Sequence, residues 1–505
     1  MLSRTFKKCL LGLFMAATLF GCKKSDMPSE MEIKGPAIVI IGLTDDNKLV
    51  LFSGDNPGNF TKTVSINGLE SAEKIISIDF RPATGELYGL SNSSRLLIIN
   101  YDNGNARPVS TAAFTPAIMG ASAAIDFNPT VDRLRLVSDQ GQNLRLNPET
   151  GLVVFTDGNI TGTAGTAISA VAYTNSMAGA TTTTLFDIDF VNGILYKQDP
   201  PNNGTLVMVG SLGVKANGAA GFDISPDNTY ALAVAANNAN TSNFYSIDLG
   251  TGKAKKIRTL PVIILDIAIP TNPVAYAVDG SNNLHIFNPA IPANTIMKPI
   301  TGLPVGTMLV GIDFRPVNGQ LYTLGSNSQV YTINTANGAV AAVGLPLTTP
   351  LEGTEFGFDF NPTVDRIRVV SNTGQNLRLH PATGAIAAVD MMLNPGSPMV
   401  SAAAYTNSFA GSTATELLVI DHSNGKFYLQ SPPNNGTLVE RGMLGTTVSA
   451  TSGFDIGARS NRGYALFTNA TQSQLLSINL ATGAATDGKM VMITAPRGLA
   501  IAPGF

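Results

Sequence analysis

Two hairpin-sized blocks carry the densest polar chemistry in the chain. Phe127 to Gly151 reads FNPTVDRLRLVSDQGQNLRLNPETG, and Phe360 to Gly384 repeats it as FNPTVDRIRVVSNTGQNLRLHPATG with six changes. Each block offers guanidiniums and amides around a Gly-containing turn: Arg135, Gln142, Asn143 and Arg145, then Arg368, Gln375, Asn376 and Arg378. In both blocks the arginines sit between apolar neighbours, so strand alternation puts them on one face, opposite those neighbours. Guanidiniums on such a face either pair with carboxylates, Asp126 or Asp132 being nearest in sequence, or await an anion. A second pair of segments, AYTNSMAG and AYTNSFAG, places Tyr173 and Asn175, and Tyr405 and Asn407, where a sugar or peptide could be held. Tyr-Thr-Asn-Ser is equally what a capped loop needs.

Carboxylates form the third constellation. Asp79, Asp126, Asp223 and Asp266, then Asp313, Asp359 and Asp455, end apolar segments such as IDFRP and FDISP. If those segments line a common axis, the carboxylates could ring it and hold a structural calcium ion, which takes several hard oxygens. The plainer expectation is that each Asp accepts backbone N–H groups of the turn beside it. His285, His380 and His422 stand singly, with Val50, Asn147 and Asn192 or its neighbours at the matching places, which argues against a histidine-ligated metal or a Ser-His-Asp triad. Neither a P-loop nor a dinucleotide fingerprint occurs. Paired carboxylates acting on a glycosidic bond stay open.

These groups need a scaffold, and composition indicates which kind. The 505 residues include 50 Gly and 29 Pro, with only 13% charged, a turn-rich balance that points to an all-β chain of more than one domain or one large ring. From Pro36 onward apolar strands alternate with Pro, Asn and Gly turns at roughly the 45-residue spacing of a four-stranded propeller blade. The motifs recur at a near-constant offset, IDFRPATGELYGL from Ile78 as IDFRPVNGQLYTL from Ile312, and QDPPNNGTLV from Gln198 as QSPPNNGTLV from Gln430. Two tandem copies follow, 36–270 and 271–505. The segment Ile38 to Phe52 lacks a first strand, which Val262 to Pro270 could supply, as Gly498 to Ala502 could in the second copy. The expected fold is an all-β propeller of about ten blades, in two five-bladed rings or one ten-bladed ring. The short connector Pro270 to Pro273 speaks for the single ring, since VIILDIAIPTNPVAYAV would then be one unbroken blade.

The N-terminus carries Arg4, Lys7 and Lys8, an apolar run from Cys9 to Phe20, and then Gly21-Cys22. It resembles a bacterial lipoprotein signal, with Phe20 bulkier than the residue usual at that place. The resemblance implies a signal peptide over 1–22, acylation of Cys22 and a membrane partner through that lipid; an ordinary signal peptide or uncleaved anchor is the alternative. Residues 23–35 read as a polar linker. Cys9 and Cys22 are the only cysteines, so no disulfide is expected in the folded body. Three of the 32 basic residues and none of the 35 acidic ones lie in 1–21, so the mature chain is acidic by about six charges and has no electrostatic footprint for nucleic acid.

The FNPTVDR, GQNLR, AYTNS and PPNNGTL motifs together resemble the bacterial family catalogued as domain of unknown function 4394, in two copies spanning nearly all of Pro36 to Phe505. That resemblance implies a propeller-like fold in exported proteins and carries no catalytic roles. Single-copy members, expected to fold alone, favour two rings. The functional expectation is a non-catalytic envelope lipoprotein presenting a binding surface to a glycan or protein partner. The alternative is a carbohydrate hydrolase or lyase using axial carboxylates.

Overall fold

The computed structural model describes residues 32–162, 165–448, 452–469 and 472–505. Cys22 and the expected signal peptide lie outside the described residues, as do residues 23–31 of the expected linker. Ile33, near the end of that linker, donates its N–H to Lys256 O at 3.0 Å and so lies against the folded body.

Ten antiparallel sheets of four strands each form two tandem domains. In the first domain Ile75–Phe80, Ala123–Asn128, Ala170–Tyr173 and Ala220–Ile224 each begin a sheet that continues in chain order. The remaining sheet is begun by Ile264–Ala268, which pairs with Val39–Thr44 far upstream. The second domain repeats the pattern, with Pro496–Ile501 pairing with Ala275–Asp279. Each copy therefore completes its first sheet with its own last strand, as the apolar runs VIILDIAIP and GLAIA indicate. The unbroken blade across Pro270 does not form: the strands on its two sides belong to different sheets, so the single-ring alternative falls.

First strands of successive sheets lie against one another in a cycle. Ile75–Phe80 touches Ala123–Asn128, and the succession returns through Ile264–Ala268 to Ile75–Phe80. Apolar layers fill the space between sheets. Tyr88, Leu90 and Ile98 of one sheet meet Ile125, Phe127 and Leu136 of the next, and Leu232, Val234 and Phe244 meet Ile40, Val50 and Phe52 across the chain ends. Because sheets stack face to face, the first three strands are buried on both sides, whereas a fourth strand such as Phe60–Ser65 alternates. Tyr88 and Phe127 make an edge contact at 5.1 Å, reproduced by Tyr322 and Phe360 at 5.2 Å. Truncating Phe127, wholly buried, would cost about 3–5 kcal/mol.

Close approach at the centre dictates residue size. A Cβ on Gly453 would stand 2.5 Å from Leu499 N of the adjoining strand, so only glycine fits there.

Candidate functional site

The repeated hairpin is a closed network. Arg135 and Arg145 stand opposite each other on paired strands, sharing a face as alternation requires. Their common acceptor is Asp157: Arg135 Nη1 donates to its Oδ2 at 2.6 Å, and Arg145 Nε and Nη2 donate to its two oxygens at 2.8 Å. Arg135 also donates to Asn143 Oδ1 and Asn202 Oδ1, both at 2.8 Å, and to Tyr173 Oη at 3.2 Å. Asn143 closes the circle by donating to Gly158 O and Pro201 O at 3.0 Å. The second copy matches it with Arg368, Arg378, Asn376, Asp390, Asn434 and Tyr405.

The carboxylate partner is thus Asp157 or Asp390, and neither Asp126 nor Asp132 as expected. Asp132 instead takes Arg81. What binds the two sheets together is the PPNNG turn, Pro201–Asn203, which hands Asn202 and the Pro201 carbonyl to the hairpin of the neighbouring sheet. Proline fixes the entry to that turn and Gly204, at φ 68°, ends it. Gln142 and Gln375 serve loops: Gln142 Nε2 donates to Ala117 O at 2.9 Å and its Oε1 accepts Met119 N–H at 3.0 Å. Asn175 and Asn407 adopt left-handed φ of 56° and 53° and tie their own loops to Asn228 and Asn461, the capped-loop reading.

The axial carboxylates join neighbouring sheets. Asp79 Oδ2 accepts the N–H of Phe127 at 2.7 Å, Asp126 Oδ1 that of Tyr173 at 3.0 Å, and Asp266 Oδ2 that of Ile78 at 2.9 Å. Asp313 and Asp359 do the same for Phe360 and Tyr405, and Asp223 and Asp455 for Ile269 and Ile501. The expectation of a turn brace is corrected in its partner: the N–H comes from the first strand of the next sheet. Ala172 and Ala404 hold the matching place in the fourth strand of each cycle, and Gly498 stands where the first domain has Asp266, so one junction of the first domain and two of the second have no such link.

Asp79, Asp126 and Asp223 each bring one oxygen within 4.8 Å of the others, as do Asp313, Asp359 and Asp455. Burial, reinforced by the neighbouring carboxylates, raises Asp79, Asp126, Asp313 and Asp359 well above the usual range, and burial lifts Asp223 to about 8 and Asp455 to about 7. At one oxygen apiece, the three carboxylates of each cluster give a calcium ion three of the six to eight oxygens it takes.

The domains differ around this axis. In the first, a cavity of about 460 Å³ leads to Ser77 and Asp266 past Ala123 and Ala124. The matching space in the second is about 10 Å³, bounded by Phe356, Phe358, Gly311 and Gly498.

Sequence reading missed the meeting of the two domains. Arg81, fully buried, donates to Asp132 and Glu149 of its own domain and to Gly319 O of the other at 3.2 Å. Arg107 Nη2 donates to Glu86 Oε1 and Pro316 O, both at 2.9 Å, while Arg459 donates to Asp102 Oδ2 and stacks over Tyr101 at 4.0 Å. Between these staples lies a cavity of about 300 Å³. A usable signal existed in the copies themselves: Glu86, Tyr101 and Arg107 have Gln320, Thr335 and Ala341 at the corresponding places, so this rim is private to one copy.

No curated protein matches the chain. A solved structure of a candidate 6-phosphogluconolactonase from Bacteroides fragilis NCTC 9343 aligns with 64% of this chain and 94% of its own, at 12% identity and a TM-score of 0.28, too loose an overlay to bear on fold or activity. The model of the family described as domain of unknown function DUF4394 matches residues 48–268 and again 283–500. With two matches that cover most of its length, the chain belongs to the DUF4394 family as a tandem pair.

Proposed function

We propose that this protein is an exported lipoprotein, anchored through Cys22, whose two domains are five-bladed β-propellers serving as a non-catalytic binding module for a glycan or protein partner. The observation that carries the reading is how the polar candidates are used. Arg135, Asn143, Arg145 and their counterparts bond to one another and to Asp157 or Asp390, and most of the axial carboxylates hold neighbouring strands together. Groups spent on the scaffold are poor acids, bases or nucleophiles, because reaction would break the contacts that hold the sheets. The cycle of first strands, completed by Ile264–Ala268 and Pro496–Ile501, supports the propeller assignment. No helix among the described residues is long and apolar enough to cross a membrane.

The test compares the parent with the double variant Asp126→Asn, Asp359→Asn in a glycan-turnover assay, alongside labelled palmitate feeding. Neither protein should turn over glycans, and label should enter at Cys22. Turnover by the parent that the variant loses would replace this reading with the hydrolase alternative, and absence of label would remove the anchor.

A further inference from the structure

We propose that the cavity between the two domains is a binding site for a neutral saccharide unit. The proposal rests on the binding-module reading and names its site and ligand class.

One wall comes from the first domain and includes Glu86, Tyr101, Asn103, Asn105 and Arg107; the other comes from the second and includes Phe409, Gly411 and Arg459. At about 300 Å³ the space matches the lower range of small-molecule pockets, about 300–1,000 Å³. Its charges cancel locally. Glu86 pairs with Arg107 at 2.9 Å and Arg459 pairs with Asp102 at 2.5 Å, so an ion entering would shed its hydration without gaining a counter-charge.

Polar capacity nevertheless remains. Glu86 Oε2 and Arg107 Nε are unpaired but fully enclosed, with Oε2 beside Gly319, so the groups a ligand can reach are the amides of the exposed Asn103 and Asn105. Asn103 uses only its Oδ1, which accepts Asn105 N–H at 2.9 Å, and the Asn105 side chain is bonded to nothing among the described residues. Phe409, 43% exposed, lines the same cavity from the other domain. Amide donors and acceptors sharing a cavity with an exposed aromatic ring suit a molecule with hydroxyls on one side and C–H groups on the other. A sugar ring is that molecule.

The matching loop of the first domain shows that exposure here is particular to one side. Ala178 there packs into the apolar cluster of the other domain, and Gly179 lies so close to Ile296 that an added Cβ would stand 2.9 Å from it. Arg107, on the cavity wall, joins the two domains by donating to Glu86 and to Pro316 O across the boundary.

Calorimetry on the full chain tests this, with the methyl glycosides of glucose, galactose, mannose, xylose, rhamnose and N-acetylglucosamine each titrated singly, and with an Ala-Gly-Ala amide as the peptide probe. At least one glycoside should give saturable heat and raise the melting temperature. Asn105→Ala and Phe409→Ala, neither of which touches the Glu86 to Arg107 pair, should each weaken it about tenfold or more at unchanged unliganded melting temperature. Heat from no glycoside, heat unaltered in both variants, or heat from the peptide alone would overturn the assignment. Those failures leave the turnover and palmitate tests of the module unaffected.

Discussion

The two domains keep one set of contacts and abandon another. The Arg135, Asp157 and Asn202 network is reproduced bond for bond by Arg368, Asp390 and Asn434, with the shared Arg to Asn distance at 2.8 Å in both. By contrast Asp266, Ala123 and Asp187 are replaced by Gly498, Phe356 and Val419 at the matching strand positions. What persists ties one sheet to the next, and what drifts is the filling of buried space. A brace must keep its partners together, whereas a cavity can be filled by any residue of suitable volume.

The braces give the largest expected effect. Arg135→Ala leaves Asn143 and Asn202 without their donor and Asp157 with one fewer, at about 3–5 kcal/mol, and Arg368→Ala should cost the same. Urea unfolding combined with domain-resolved hydrogen exchange would read both, and a loss in only one domain would break the equivalence. Arg81 and Arg315 sharpen it: each pairs with an Asp at φ 50°, but the Arg81 side chain is 0% exposed and Arg315 19%. Arg81→Ala should cost about 3 kcal/mol and Arg315→Ala about 1 or less. Equal losses would mean that the domain boundary contributes nothing.

Asp187 is next. Both its oxygens lack partners, and burial raises it to about 8 although Arg135 opposes this. Asp187→Val, which copies Val419, should stabilise the first domain by about 1–3 kcal/mol. The same logic gives the pH dependence. Asp187, Asp223 and Asp266 titrate higher in the fold than unfolded, so their contribution is complete below the ordinary Asp range and fades as pH climbs through about 7 to 8. The first domain, which has two more such groups, should lose more stability between pH 5 and about 9 than the second; melting followed by hydrogen exchange at each pH would detect a reversed order. The smallest effect concerns Arg145, which stacks over Phe155 at 4.0 Å where Arg378 faces Ala388. Phe155→Ala should cost about 0.5–1 kcal/mol by thermal melting, while Ala388→Phe should add as much.

Much of this was readable from residues alone, where the information is local. Apolar runs too short for a helix and bounded by Pro and Gly marked the strands, and the lone run VIILDIAIP marked the strand that pairs with Val39–Thr44. The partners of charged groups were not readable, because they come from other sheets. Asn202 lies in a turn whose repetition was plain but whose neighbour was not, and Asp157 stands 22 residues beyond Arg135 on the far side of a hairpin. Identity between copies flagged Arg135 as important without saying whether it binds or braces. The domain boundary was hidden for another reason: Glu86, Arg107 and Arg459 fit no repeat, and a motif search rewards only what recurs.

The pairing of Ile264–Ala268 with Val39–Thr44 also bears on how the chain reaches its fold. Four sheets of the first domain are assembled from contiguous hairpins, but its first sheet stays one strand short until residue 268 is available. Contact order is concentrated in that single ladder, and the entropy of drawing the ends together grows only as about (3/2)RT ln n. The step is therefore slow more than it is unfavourable. A chain made from its N-terminus would expose the unpaired edge of Val39–Thr44 throughout synthesis of the domain, an interval in which a strand from another molecule could take its place.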